Sequence, residues 1–522
     1  QYLDDNPTGT VSDVYNVNVK VRDDDGGQAT ASSMVEVLNV APGNVVAAPV
    51  GSIIDEGGGV TLDVTFDDPG SQDTHQVEIT WGDGHVTTGA ATGHTFSASH
   101  VYADNGTYAV FVKVVDDDGG VGNGWAAVFV ANVAPSVTVA GPQTVNEGAL
   151  LSLTNIGQFT DPGFNNPLNA GNILNGGETT EEFEYEINWG DGSTVETGVP
   201  TIDQVGGAGV VTAGSFDGSH IYADNGVYTV TVTVKDDDGG VTVQQFQVTV
   251  QNVDPTLTFT NPTIVVNEGA PITLAGLGVG ATDPGFDNDA LGTKETFEGA
   301  TVDWGDGSTA DPLTVSVGVE GSDGNPTTGV FAHAAHHYAD NGTYTVTVSF
   351  KDDDGVVVDR TFTILVENVA PSLDLTPDVF VINEGETLNL PNLGTFSDPG
   401  FNNANNPNGA SQESFKYTIN WGDGTPDEVG ELPASVTNGS PGVATIGTLA
   451  NSHFYADNDV DNKYTITVTL EDDDGGTITK TIEVTVLNVN PTLNPIVATD
   501  VNTKGVTTLT LQFDDPGADE FD

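Results

Sequence analysis

Residues 220–250 read HIYADNGVYTVTVTVKDDDGGVTVQQFQVTV. Within this stretch Val227–Val234 and Val241–Val250 alternate apolar and polar residues, the period of strands with one buried face. The Asp236-Asp-Asp-Gly-Gly between them is turn sequence, so the two runs predict an antiparallel hairpin. Thr61–Phe66 and Gln76–Thr80 read as two further strands, divided by the turn Asp68-Pro-Gly. No helical period of useful length occurs. Seven or so short strands in roughly a hundred residues predict an all-β, antiparallel sandwich.

The same phrases recur in the same order along the chain. Asn-Val-X-Pro stands at 39–42, 132–135, 252–255, 368–371 and 488–491. After each of the first four come an Asp/Asn-Glu-Gly (55–57, 146–148, 267–269, 383–385) and an Asp-Pro-Gly (68–70, 161–163, 283–285, 398–400). Trp-Gly-Asp-Gly (81–84, 189–192, 304–307, 421–424), Tyr-Ala-Asp-Asn (102–105, 222–225, 338–341, 455–458) and an Asp triplet with glycine complete the set. A period of roughly 93 to 120 residues is that of whole domains, not of a solenoid repeat. Four complete modules follow, at 43–135, 136–255, 256–371 and 372–491. Residues 1–42 are the C-terminal part of a preceding module, and 492–522 the N-terminal part of a further one. These broken ends predict a polypeptide that continues in both directions; strands lent by a neighbouring subunit are the alternative.

Composition narrows the function classes. There are 76 acidic residues against 11 basic ones, a formal charge of −65, so nucleic acid and anionic membrane surfaces are repelled. The absence of cysteine excludes a disulfide scaffold and thiol chemistry. No apolar run is long enough to insert into a bilayer. Hydrophobic residues make up 37% and fall in strand-like blocks, which argues for folded modules over disorder. Divalent cations or high external salt are two ways to tolerate such charge.

The ordered set Trp-Gly-Asp-Gly, His-x-Tyr-x-Asp-Asn-Gly-x-Tyr and Asp-Asp-Asp-Gly resembles the polycystic-kidney-disease (PKD) domain, over essentially the whole chain. The resemblance implies a tandem array of immunoglobulin-like, PKD-type, seven-stranded β-sandwiches forming an elongated rod. It further implies extracellular spacers or interaction modules without catalytic residues. Asp104-Asn-Gly-Thr-Tyr108 then matches the corner in which a tyrosine hydroxyl ties the E–F turn to the backbone, repeated at Asp224–Tyr228 and Asp340–Tyr344. The fourth module has a longer loop, Asp457–Asn462, before Lys463 and Tyr464. Inserts between Asp-Pro-Gly and Trp-Gly-Asp-Gly (Phe164–Asn188) and before His-x-Tyr (Ser193–Ser219) read as surface loops for module-specific contacts.

In such a sandwich the B–C and F–G loops face the preceding module, and the A–B and E–F turns face the following one. Every strongly acidic motif therefore lands at a junction. The first complete junction collects Glu56, Asp104 and Asn132 with Asp161, Asp236 and Asp238. Carboxylate and amide oxygens in that number suit a hard cation taking about six to eight ligands. The arrangement is similar to cadherins, in which an A–B glutamate, a linker Asn and B–C and F–G aspartates clamp calcium between domains. By the same matching the other junctions offer Asp4, Asn39, Asp68, Asp116 and Asp118; Glu147, Asp224, Asn252, Asp283, Asp352 and Asp354; Glu268, Asp340, Asn368, Asp398, Asp472 and Asp474; and Glu384, Asp457, Asn488 and Asp515. Structural calcium of weak affinity, ~10⁻⁴ to 10⁻³ M, is the expectation.

Turn chemistry is the competing reading, since Asp is a good turn former, and Arg22, Lys235 and Lys351 stand close enough to neutralise the triplets. Asp83 reads as lying too near strand C to face a junction. The histidines His100, His220, His337 and His453 read as hydrogen-bonded corner residues, and the tryptophans as core. The function expected is non-catalytic: a calcium-stiffened rod or filament segment of a long cell-surface or secreted adhesive protein. Its partners would be other copies of itself or neighbouring modules. The alternative is an array binding surface glycans or proteins, attached to an adhesin or secreted enzyme. Exposed aromatic pairs in the inserts would favour it, and only single residues (Phe164, Phe216, Phe286, Phe331, Phe401) occur there. Carboxylates repeated alike in every module, with no nucleophile and base beside them, argue against an enzyme.

Overall fold

The structure is a computed structural model and describes residues 9–169, 180–260, 263–355, 357–376, 379–407, 411–432, 436–498 and 509–518. It divides into two compact units. One holds the chain to Gln251 together with Asn288–Thr293, and the other holds Asn252–Asp287 and Lys294 onward.

In the first unit, β1 (Ser12–Arg22) and β2 (Gln28–Leu38) form the hairpin expected of a preceding module's last two strands. Module 1 follows with β3 (Gly43–Val50), β4 (Ile53–Asp55), β5 (Gly59–Asp67), β6 (His75–Thr80), β7 (Val86–Ala90), β8 (Thr95–Val101), β9 (Gly106–Asp116) and β10 (Val121–Ala131). One sheet is ordered β3-β5-β8 and the other β4-β10-β9-β6-β7. β4 pairs in parallel with β10, while the other neighbours are antiparallel. This is the immunoglobulin-like sandwich, with eight strands in place of seven. The first strand breaks at Gly51 and crosses to the second sheet, and an extra edge strand, β7, follows Trp-Gly-Asp-Gly.

Module 2 repeats the plan with β11 (Ser136–Val139), β12 (Gln143–Asn146), β13 (Leu150–Asp161), β14 (Phe183–Asn188), β15 (Glu196–Gly198), β16 (Thr201–Gln204), β17 (Thr212–Ile221), β18 (Gly226–Asp236) and β19 (Val241–Gln251). Its sheets are β11-β13-β17-β16 and β12-β19-β18-β14-β15. Part of the second insert thus becomes β16, which pairs with the start of β17. The second unit holds two more sandwiches of the same order.

Each module closes around its own alternating residues. In module 1 Val60, Leu62, Val64 and Phe66 of β5 face Val77 and Ile79 of β6 and Val110, Val112 and Val114 of β9. Trp81 is fully buried, stacks on His100 at 4.9 Å, and gives its carbonyl to the Tyr102 hydroxyl at 2.9 Å. The corner tyrosine behaves as the motif implies: Tyr108 donates to the Asp104 carbonyl at 2.8 Å, and Tyr228 and Tyr344 repeat it on Asp224 and Asp340. In module 4 the longer loop is spanned by Tyr464, which still reaches the Asp457 carbonyl at 3.1 Å. No helix among the described residues is long and apolar enough to cross a membrane.

Candidate metal centre at the module junctions

The first complete junction lies within the first unit. Glu56, on the turn between β4 and β5, aims Oε1 at the linker and accepts the Val133 amide at 2.7 Å. Its neighbour Gly57 has positive φ, and a Cβ there would collide with the Pro162 carbonyl of module 2. The glycine after the glutamate is therefore needed twice, for its turn and for close approach. Gly269 against Pro399 and Gly385 against Pro516 repeat that contact.

From module 2, Asp161 spends Oδ1 on the Gly163 amide at 2.7 Å, closing the Asp-Pro-Gly turn. The aspartate triplet divides its labour. Asp236 accepts the amides of Asp238 and Gly240, folding the hairpin loop, and takes the Asn132 amide nitrogen at 3.2 Å. Asp237 accepts the Glu182 amide at 2.9 Å and starts β14. Asp238 faces Asp104 of the preceding module. Turn chemistry thus accounts for Asp237 and one oxygen of Asp236, and leaves Asp236 Oδ2 and Asp238 to the junction. The lysines do not neutralise the triplets: Lys235 pairs with Glu186 at 2.6 Å and Lys351 with Glu298 at 3.1 Å.

Ligand oxygens of Glu56, Asp104, Glu181 and Asp238 all lie within 4.8 Å of one another. Glu56 Oε2, Asp104 Oδ1, Asn132 Oδ1, Asp161 Oδ2 and Asp236 Oδ2 are buried and accept no hydrogen bond. Buried acceptors without donors are costly, and a cation is a partner that satisfies several at once. The electrostatics agree. Burial raises Glu56 to about 8, and the charges of Asp161, Asp238 and Asp104 add to it. Burial likewise lifts Glu181 to about 9, Asp104 to about 7 and Asp161 to about 6, each with further carboxylates pushing the same way. The cluster is a negative hole with no cationic side chain in it among the described residues.

Glu181 is absent from the motif reading. It sits at the end of the insert, two residues before the first inward residue of β14. The same spacing recurs in Asp73-Thr-His75, Glu295-Thr-Phe297 and Glu413-Ser-Phe415. In each module this acid packs against the Gly of Asp-Pro-Gly. An acid two positions ahead of the strand's first buried ring is the sequence signal that finds it.

The second unit builds the same site from its own residues. Glu268 accepts the Val369 amide at 2.8 Å, Asn368 donates to Asp472 at 3.2 Å, and Asp398 holds the Gly400 amide at 2.8 Å. Glu268 Oε2, Asn368 Oδ1 and Asp398 Oδ2 accept no hydrogen bond. Burial raises Glu413 to about 9, Glu268 to about 8, Asp398 to about 7 and Asp340 to about 6; Asp474 is among the charges acting on Glu268, Asp398 and Asp340.

The remaining sequence-derived positions are less complete. Asp4 lies outside the described residues. Asn39 donates to Asp116 at 2.9 Å; ligand oxygens of Asp68, Asp73 and Asp116 lie within 4.8 Å of one another, as do those of Asp73, Asp117 and Asp118, although Asp68 Oδ2 also faces His75 at 3.0 Å. His75 occupies the place that Phe183, Phe297 and Phe415 hold elsewhere. In the first unit Glu147 is buried and Asp224 half-buried. In the second, Asn252 donates to Asp352 at 3.2 Å, Asp283 is raised by burial to about 7, and Asp354 is exposed. Glu384 accepts the Val489 amide at 2.6 Å and Asp515 the Gly517 amide at 3.0 Å. Asp457 caps its own loop through the Asn458 amide, and Asn488 stays exposed.

Two sequence readings are corrected and a third is refined. Asp83 does face a junction: Asn166 of module 2 donates to its carbonyl at 3.1 Å. Burial would raise the Asp83 carboxyl, but hydrogen bonds from His100 and the His85 amide outweigh it and hold it below the usual range. The first insert is not solvent-facing throughout where described: Asn166 and Asn169 are buried, and Asn166 donates to Asp83 of module 1, a module-specific contact of the kind expected. The histidine stacked on the third tryptophan is His336, not His337; it lies 4.7 Å from Trp304 and 3.2 Å from Asp306. Counting two residues back from Tyr338 finds it.

Aromatic residues are exposed on a strand face, not in the inserts. Trp125 is 70% exposed and pairs directly with Phe111 at 58%; Phe129, further along β10, is 48% exposed. The matching positions in module 2 are Gln245 and Thr231, and in module 4 Thr481 and Thr467.

Residues 39–130 match one family description of the PKD domain and residues 151–250 match another. No curated protein matches the chain. Among solved structures, the PKD domain of an M14-like peptidase from Thermoplasmatales archaeon SCGC AB-540-F20 is 24% identical, covering 18% of this chain and 97% of that one, with a TM-score of 0.16. A Ca2+-stabilised adhesin with which an Antarctic bacterium binds ice is 15% identical over 86% of this chain and 99% of its own, TM-score 0.22. Protocadherin gamma B2 extracellular cadherin domains 1–5 are 14% identical over 92% and 87%, TM-score 0.21. These overlays are too loose for anything about this chain to be drawn from them.

Proposed function

We propose that this tandem array of PKD-like domains is a non-catalytic, extracellular structural segment whose junctions are stiffened by calcium, as part of a rod or filament of an adhesive protein. The supporting observation is the junction itself: buried carboxylates from two modules and an amide from the linker converge, five of their oxygens accept nothing, and no basic side chain enters. An all-oxygen site of mixed carboxylate and amide ligands suits a hard cation, and calcium tolerates its irregular geometry better than magnesium. The ion would join the modules by replacing repulsion with shared coordination. At the first junction Glu56, Asp104, Glu181 and Asp238 are the central ligands, with Asn132, Asp161 and Asp236 beside them. Glu268, Asp340, Asn368, Asp398, Glu413, Asp472 and Asp474 are their counterparts. The partners are neighbouring modules or other copies.

Chelation is expected to soften the junctions without unfolding the modules, because each sandwich has its own core. Small-angle scattering and circular dichroism with and without EDTA check this. The radius of gyration should change while the strand signal stays constant. An unchanged scattering curve counts against calcium as the stiffener.

The exposed Phe111, Trp125 and Phe129 favour a second reading, in which module 1 also binds a surface glycan. A neutral polysaccharide suits the flat aromatic face, since the acidic chain repels anionic ones. Electrophoresis through gels cast with neutral polysaccharides should retard the chain. Trp125→Ala should abolish the retardation with little change in melting temperature, because Trp125 packs into no core. Equal mobility of both proteins in every gel rejects it.

A further inference from the structure

We infer that the Gly-Asp-Gly loop of one module and the Phe-x-Asn stretch opening the next module's insert form a latch that holds the junction without any ion. In the first unit the Phe164 amide donates to the Ala103 carbonyl at 2.9 Å, crossing from module 2 to module 1. Asn166, two residues on and 5% exposed, donates to the Asp83 carbonyl at 3.1 Å. The Leu168 carbonyl then presses on Gly84, where a Cβ would collide with it. The second unit repeats each element independently. The Phe401 amide donates to the Ala339 carbonyl at 3.1 Å, Asn403 to the Asp306 carbonyl at 2.8 Å, and the Asn405 carbonyl abuts Gly307.

None of these contacts uses the orphaned carboxylate oxygens. The latch is thus separate from the metal site in both atoms and chemistry. The receptor loop is held ready by Asp83, which is fixed by His85 and His100, and by the positive φ of Gly84. Module 1 itself has no counterpart to Phe-x-Asn: its Asp-Pro-Gly is followed by Ser71-Gln-Asp73. A module bearing Asp-Pro-Gly-Phe-x-Asn therefore docks firmly on its predecessor even without calcium. A module with the short loop relies on the ion. The latch thus grades the stiffness of successive junctions and selects which modules hold together when calcium is scarce.

Hydrogen exchange of the full chain in EDTA tests this, apart from any question of calcium. The amides of Phe164 and Leu168 should remain protected with no divalent ion present. Gly84→Ala should speed their exchange at least tenfold. Gly93→Ala is the control, a glycine of module 1 that also has positive φ, with no described residue where a Cβ would go. It should leave exchange of Phe164 and Leu168 unchanged. Asn166→Ala removes the donor from the other side and should match Gly84→Ala at the Phe164 amide while leaving the module 1 amides of β9 protected; Leu168, whose amide donates to Asn166 Oδ1 at 3.1 Å, is read in Gly84→Ala alone. Unprotected Phe164 and Leu168 in the parent chain, or no acceleration in Gly84→Ala and Asn166→Ala, overturns the latch.

Discussion

Glu181→Gln is expected to weaken calcium binding at the junction of modules 1 and 2 at least tenfold at pH 8, about 1.4 kcal/mol. Glutamine keeps one oxygen but removes the charge, and Glu181 is one of four acids whose oxygens gather within 4.8 Å. The same substitution should have the opposite effect without calcium. Glu181 is a half-buried carboxylate that closing of the junction desolvates beside other acids, so its loss removes that cost and tightens the empty junction. Isothermal titration reads the first effect, and exchange of the Val133 amide in EDTA reads the second. Glu186→Gln, which touches Lys235 away from the cluster, is the control and should change neither. A purely structural glutamate would weaken the junction under both conditions.

Acidification is expected to act with opposite signs on the empty and the loaded junction. Burial raises the carboxyls of Glu56 and Glu181 from 4.5 to about 8 and 9, and those of Asp104 and Asp161 from 3.8 to about 7 and 6. A group whose folded value is raised stabilises fully below its ordinary value, and that contribution is lost as pH climbs through the folded one. What these groups contribute to the empty junction is therefore full below about pH 4 and is lost progressively toward pH 9. Calcium needs these groups ionised, so protons displace it. Each linked proton changes affinity tenfold per pH unit, and at least one is expected to be released per ion; binding at pH 5 should be weaker than at pH 8 by at least a hundredfold. Titrations at both pH values, with linker exchange in EDTA alongside, check the two signs. A calcium affinity independent of pH would count against these carboxylates as ligands.

Much of this was legible in the sequence because the information is local and repeated. Alternating Val and Thr on either side of an Asp-Gly turn leave no choice but a hairpin, and β18 and β19 extend those runs by only a residue or two. The glutamates and triplets were legible as junction residues because loop order in a sandwich fixes which pole each occupies. Glu181 and Glu413 were not, because they end inserts of unequal length and carry no shared phrase; only their distance from the buried Phe183 and Phe415 marks them. The latch escaped for another reason. Asn-rich, Gly-rich segments read as surface loops for module-specific contacts, but no local pattern says that Asn166 and Asn403 donate side-chain hydrogen bonds to backbone carbonyls of another module. Position within a motif also misled at His337, where adjacent histidines hide which one has the register to stack on Trp304.

The central claim is tested most directly by locating the ions. Crystals grown in millimolar calcium, with calcium identified by its anomalous scattering, should show an ion bounded by Glu56, Asp104, Glu181 and Asp238 and another among Glu268, Glu413 and Asp474. Density at both, with the Glu56 Oε2 and Asp161 Oδ2 oxygens turned onto the ion, is the result the proposal predicts. Both clusters empty at that concentration, or calcium bound only on the sheet faces, would contradict it.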